Sequence, residues 1–205
     1  IDLDQAEHNA TIYNPNNAAF FIENFKDAER DRYSLFAEWK GAVSSGWNVE
    51  TGLRYSRVEM DSGDASLGGT PAPLVVLNTD FNNSDLSQDE DLVDIFATFT
   101  HEISQQADIE IGFARKTRAP SYQERYLWAP LQSTGGLADG RQYVGDINLD
   151  HEVSYQLELG LDWHTQKFAI SPRVFYHHIN DYIQGVAGNA NAQQQMVANA
   201  IAPML

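Results

Sequence analysis

Residues 152–163 read E-V-S-Y-Q-L-E-L-G-L-D-W, with apolar and polar positions in unbroken alternation. Val153, Tyr155, Leu157, Leu159, Leu161 and Trp163 share one face of a strand, and Glu152, Ser154, Gln156, Glu158, Gly160 and Asp162 share the other. The same period recurs along the chain. Residues 32–40 place Tyr33, Leu35, Ala37 and Trp39 on one side. After G-A-V-S-S-G, residues 47–58 place Trp47, Val49, Thr51, Leu53 and Tyr55 opposite Asn48, Glu50, Gly52, Arg54 and Ser56. Residues 92–103 turn through S-Q-Q-A-D into Ile109, Ile111 and Phe113. The strand 152–163 turns at T-Q-K into Phe168, Ile170, Pro172, Val174 and Tyr176, opposed by Ala169, Ser171, Arg173, Phe175 and His177. A poorly alternating strand near residues 3–13 opens the chain, which makes about seven strands in all.

Short turns alternate with long stretches at residues 59–91 and 117–151, which read as loops. An up-and-down membrane barrel joins its strands this way, with tight turns at one rim and long loops at the other. A soluble sandwich uses Greek-key connections. Aromatic placement points the same way. Trp39, Trp47, Trp163 and Phe168 sit beside the short turns, while Tyr33, Tyr55, Tyr155 and Tyr176 sit near the long loops. Two belts of amphipathic rings bounding a band of Leu, Val and Ile match a bilayer with its two interfaces. The fold class expected is all-β: part of an antiparallel, up-and-down transmembrane β-barrel whose apolar face meets lipid and whose polar face lines a lumen.

Composition narrows the partners. The 205 residues carry 13 Lys+Arg against 29 Asp+Glu, a net charge of −16. Such an excess of acid argues against nucleic acid, whose phosphates require cations. No apolar run is long enough for a spanning helix. A mean hydropathy of −0.42 is compatible with a β-barrel, because alternation halves the apolar content of each strand. The chain has no cysteine. It also lacks an initiator methionine and a leader pattern, as expected of a mature product or a fragment.

Two stretches then resemble a known family. F-A-R-K-T-R-A-P-S-Y-Q-E-R-Y, residues 113–126, is similar to the strand-to-loop passage of TonB-dependent outer-membrane receptors. Farther on, G-D-I-N-L-D-H-E-V-S-Y-Q-L-E-L-G, residues 145–160, resembles that family's G-N-x-x-L-x-P-E-x-S-x-x-x-E-L-G signature. Asp146 replaces the usual Asn, and His151 stands where Pro is common. The loop between them, with Y-L-W-A-P-L and G-G-L-A-D-G, resembles the copper-receptor branch. The resemblance implies that residues 1–205 are the back part of a barrel of about 22 strands, with a plug domain that this chain lacks. It further implies a bacterial outer-membrane location and lipid and lipopolysaccharide as surroundings. The TonB energy-transducing complex would act through the plug, and a metal or metal chelate, such as copper or an iron-siderophore, would be the cargo.

Such a receptor captures and passes a ligand without making a bond, so no catalytic residue is expected. Glu50, Arg54, Asp94, Glu110, Glu152, Glu158, Arg173 and His177 are expected to line the lumen. Ligand-binding candidates are His177, Arg173, Glu158, Arg54, Met60 and Met196, the thioethers and imidazole being suited to soft copper. The acidic stretch offers Asp80, Asp85 and Asp89, with His177, as metal candidates, and could hold a divalent cation bridging to lipopolysaccharide. Arg115, Lys116 and Arg118 could meet lipid phosphates. The alternatives are an outer-membrane barrel enzyme or a soluble β-rich binding fragment. The enzyme reading lacks a G-x-S-x-G elbow, an H-E-x-x-H helix and a Walker loop.

Overall fold

The structure, a computed structural model, describes residues 1–70, 72–130 and 143–186. Strand β1 (Asp2–Asn14) pairs with the 28-residue β2 (Asn17–Ser44), which alone is on the order of 90 Å long. Their turn is held by side-chain carbonyls: Asn14 Oδ1 accepts from the Asn16 amide, and Asn17 Oδ1 from Ala19. The sheet continues through β3 (Trp47–Asp61), β5 (Gln88–Ser104), β6 (Ala107–Arg118) and β7 (Glu152–His164). It is antiparallel throughout and runs in chain order, apart from the two-residue β4 (Leu67–Gly68), which pairs with β2. Beyond β7, the expected last strand is two pieces, β8 (Ala169–Ile170) and β9 (Arg173–Asn180). The break falls at Ser171–Pro172, where proline has no N–H to give the ladder.

The register confirms the two faces strand by strand. One row runs Ala37, Leu53, Ile95, Arg115, Tyr155 and His178, and another runs Trp39, Thr51, Ala97, Phe113, Leu157 and Tyr176. The next polar row is Glu38, Gly52, Phe96, Ala114, Gln156 and His177. In the isolated chain the apolar rows are bare, with Leu35 62% and Val174 69% exposed. Aromatic residues close both ends of that face as expected. At the short-turn end, His101 stacks on Trp47 with centroids 4.4 Å apart and touches Gly46 O at 3.0 Å.

Both long stretches contain regular structure among their described residues. Residues 62–87 contain β4 and an eleven-residue helix, α1 (Ala72–Asn82), and residues 119–151 contain a one-turn helix, α2 (Tyr122–Tyr126). On α1, Leu74, Leu77 and Phe81 recur at helical spacing and are buried. They pack on Phe20, Ile22 and Phe25 of β2, Met60 of β3, and Tyr126, Leu127 and Trp128 of the second stretch. Together they form a cap with its own apolar core over the polar face at the long-loop end. Two of its large aromatic side chains find partners: Tyr126 Oη donates to Leu86 O (2.8 Å) and Trp128 Nε1 to Glu23 O (3.1 Å), while both amide atoms of buried Asn24 have none. The upper part of β2 belongs to this cap, which is why its alternation fails the strand template. No described helix is long and apolar enough to cross a membrane.

Truncating Phe81 to alanine should cost the cap about 3–5 kcal/mol. Hydrogen exchange of α1 amides should accelerate while the β5–β6–β7 ladder stays protected. Equal acceleration in both would show that cap and sheet share one core.

Candidate functional site

The two family-like stretches lock onto each other at the joint between sheet and cap. Arg118, the last residue of β6, pairs across with Glu152, the first of β7. Its Nε and Nη2 donate to Glu152 at 2.8 and 2.9 Å, and Nη1 donates to Glu124 Oε2 at 2.9 Å. Ser121 caps α2 by accepting from the Glu124 amide, while the Ser121 amide donates back to Glu124 Oε2 at 2.7 Å. The chain returns through the Gly145 amide to Leu127 O (2.7 Å) and the Asp146 amide to Glu124 O (2.9 Å). Arg118 holds the Glu152 carboxyl below the usual range against the opposing effect of burial. At Glu124 burial pushes upward, but the bonds from Arg118 and Ser121 outweigh it, and this carboxyl also lies low.

A second buried knot lies beside the first. Arg125 is 2% exposed and donates to Glu90 of β5 and to Leu149 O. His151 Nδ1 meets the other Glu90 oxygen at 2.8 Å. The residue that departs from the family pattern is therefore used here as a partner for a half-buried acid. Met60 belongs to this knot. It is 2% exposed, with Sδ 3.7 Å from Arg125 Nη1. Met60, expected in a loop, is instead a buried residue of β3.

The remaining candidates are spread out. Arg173 lies over Gly160, where an added Cβ would come within 2.7 Å of the guanidinium, and bonds Asp162 Oδ2 at 2.8 Å. Glu158 is 3.7 Å from Arg173 Nε. His177 Nε2 meets Ser154 Oγ at 2.5 Å. Arg54 lies over the Phe36 ring at 5.3 Å. Asp80 is at the exposed end of α1, and Asp85 Oδ1 accepts from the Ser87 amide. Asp89 pairs with Arg57 at 3.0 Å. Met196 lies outside the described residues. Among those described, no three His, Asp or Glu side chains converge as a metal-ligand set.

Register also sorts the basic residues of the first motif. Arg115 lies on the apolar face and bonds the Val93 carbonyl; Lys116 and Arg118 face the other way. Above the tyrosines, the apolar face turns acidic: Glu29 pairs with Asp61, Asp31 with Glu59, and Glu59 with Asp89. These acids line a cleft of about 300 Å³ around Arg57. Sequence reasoning looked for acid in the loop, whereas most of this cluster comes from strand ends.

The geometry defines an antiparallel sheet with one lipophilic face, one polar face and a folded cap at one rim. The family model for "TonB dependent receptor-like, beta-barrel" matches residues 2–200. The chain belongs to the TonB-dependent receptor-like β-barrel family, as part of its barrel. No curated protein matches it. Among solved structures it is similar to the copper transporter OprC, with 16% identity and a TM-score of 0.55, over 79% of this chain and 23% of that one. It is also similar to the siderophore receptor PirA from Pseudomonas aeruginosa, with 14% identity and a TM-score of 0.39, over 78% of this chain and 34% of that one. At these identities the OprC likeness is one of fold. The chain spans about a quarter of that transporter and about a third of the siderophore receptor.

The joint should weaken in acid. Glu124 and Glu152 have folded pKa values below 4.5. They therefore bind protons less readily folded than unfolded. The stability they contribute is complete above about pH 5 and is lost as the pH falls through their folded values. Glu152→Gln should cost about 1–3 kcal/mol near neutral pH. Protection factors of the Gly145 and Asp146 amides would report it, and the gap from the native protein should narrow as the pH falls through the lowered folded value of Glu152. A gap that persists unchanged into acid would contradict the assignment.

Proposed function

We propose that this chain is part of the barrel wall of a bacterial outer-membrane receptor that takes up a metal or metal chelate. The TonB complex, acting through a plug domain, would supply the energy. One observation carries the reading: six strands keep their apolar side chains in register on a bare face, while the opposite face is polar and capped at one end only. Bilayer hydrocarbon covers such a face without an apolar protein partner. The strands cross it, the tyrosine and tryptophan belts mark its two boundaries, and the cap stands on the cell's exterior. Lipopolysaccharide would surround that end. The polar wall and the inner side of the cap would meet the cargo.

The enzyme alternative has one observation behind it, the Ser154–His177 contact. A nucleophile–base pair needs a third group to orient the imidazole, and no carboxylate contacts the other His177 nitrogen among the described residues. Transport without chemistry is the reading adopted.

Cells lacking their own receptors, and supplied with the full-length gene, should accumulate radioactive iron chelate or copper. The receptor should fractionate with outer membranes and need detergent for extraction. Uptake should stop when TonB is deleted. Accumulation no greater than in receptor-free cells, or unchanged by TonB loss, would refute the proposal.

A further inference from the structure

Two arginines on the strands of the apolar face have opposite surroundings. Arg57 holds Glu59, Asp89 and Asp91 at 2.9, 3.0 and 3.4 Å. Arg115 has no carboxylate within ion-pairing distance among the described residues. Nearest to it on that face are Ile95, Phe113, Thr117 and Tyr155, none of them charged. Its one bond to protein runs from Nη1 to the Val93 carbonyl, just above Ile95–Arg115, the last pair of the β5–β6 ladder. The other guanidinium N–H groups have no acceptor among the described residues.

The tyrosines divide in the same way. Tyr33 donates to Asp31 at 3.4 Å and Tyr55 to Asp91 at 2.6 Å. Tyr155, directly across from Arg115, has no hydrogen-bond partner among the described residues. Beyond it in the same row His178 is engaged with Asn180 at 2.9 Å. Arg115 and Tyr155 are thus adjacent donors on an apolar surface, without acceptors of their own.

Register gives their depth. Tyr33, Tyr55, Tyr155 and Tyr176 occupy four successive rows, each one row nearer the short turns than the one before. Three rows are about 20 Å along the strands, and the steps from β2 to β9 cover about 24 Å across them. A level belt crossing the sheet on that diagonal means strands tilted by about 40°, as in a closed membrane barrel. Trp39, Trp47 and Trp163 descend in the same sense. Arg115 shares the row of Tyr155 one strand away, so it lies on the tyrosine line at the cap-side boundary of the apolar band. A lipid-facing arginine is costly at mid-bilayer but nearly free at the headgroup level, where phosphate is at hand.

The rim beside it is selective. Above the tyrosine line β2, β3 and β5 present Asp31, Glu59, Asp89 and Asp91, which repel phosphate. The apolar faces of β6 and β7 carry no carboxylate. We infer that Arg115 and Tyr155 seat a phosphate of lipid A, the phosphorylated glycolipid of the outer leaflet, and that this fixes one lipid against the β6–β7 sector. The guanidinium fork would take two phosphate oxygens and the Tyr155 hydroxyl a third, with the acyl chains lying along Phe113 and Leu157. The inference rests on the outer-membrane reading.

The test uses the full-length receptor in detergent with three probes: bisphosphorylated lipid A, its fully dephosphorylated form, and inorganic phosphate. Native mass spectrometry reads the bound lipid during titration. The native receptor should bind the phosphorylated lipid about 10-fold more tightly than the dephosphorylated one. R115Q should abolish that difference, R115K should keep part of it, and Y155F, which leaves the Val93 bond intact, should reduce it about 2- to 5-fold. Equal binding of the two lipids by the native receptor, or a preference unchanged in R115Q, would overturn the seat. So would inorganic phosphate displacing the lipid at equal concentration, which would make this a site for a soluble anion. If R115Q lowers the unfolding midpoint and Y155F leaves the preference whole, Arg115 only mends the β5–β6 ladder and the seat is likewise refuted. Each of these outcomes leaves TonB-dependent uptake standing, whereas a receptor that stays soluble without detergent would remove the outer-membrane reading itself.

Discussion

A slip of one residue between β6 and β7 would turn Leu157, Leu159 and Leu161 in among the carboxylates and put Glu158 and Asp162 on the apolar face. Everything else in the structure depends on that not happening. Side chains alternate with a period of two, so a strand has one register that keeps its faces pure and two neighbouring registers that invert it entirely. The pairing of Ile109 with Leu161, Ile111 with Leu159 and Phe113 with Leu157 satisfies this condition. The same rows continue through β5 and β3 into β2. Purity of the faces is what lets one side tolerate hydrocarbon while the other carries charge.

The Arg118 fork converts that register into tertiary structure. It joins the last residue of β6 to the first of β7 and ties both to the cap through Glu124. Three backbone segments meet where one guanidinium satisfies two carboxylates, and the short α2 turn is fixed by its capping box on the same acid. The buried Arg125–Glu90–His151 knot repeats the device one strand away. Losing one member of such a group leaves the others desolvated and unpaired. The cap therefore stands on two ionic joints as well as on its apolar core, and its position over the polar face is set by them.

Charge on the polar face is graded. Near the cap Arg30, Arg32, Arg54 and Lys116 are interleaved with Asp94, Glu90 and Glu152. Toward the short turns it becomes acidic through Glu50, Glu110, Glu158 and Asp162, with Lys40 and Arg173 each tied to an acid. The upper β1–β2 hairpin carries the cap, with β4 paired to Phe21 and Ile22.

The sequence by itself determined the strands from β3 onward, their faces, their short turns and the aromatic limits of the apolar band. Strict alternation has one geometric solution, and the rest follows from it. It also marked the two stretches that form the joint, though not that they touch. The tertiary structure alone decided what the long connections do. Leu74, Leu77 and Phe81 lie in a segment rich in Asp, Asn and Gly, and their helix is worth forming only with β2 and Trp128 to cover it. Met60 reads as a loop thioether until α1 and Arg125 close over it. Arg54, one of many charges on an alternating strand, gains its neighbours only from the pairing across strands, with the Phe36 ring on one side and Asp94 on the other. Pairing across strands is a long-range property, and a period along the chain does not encode it.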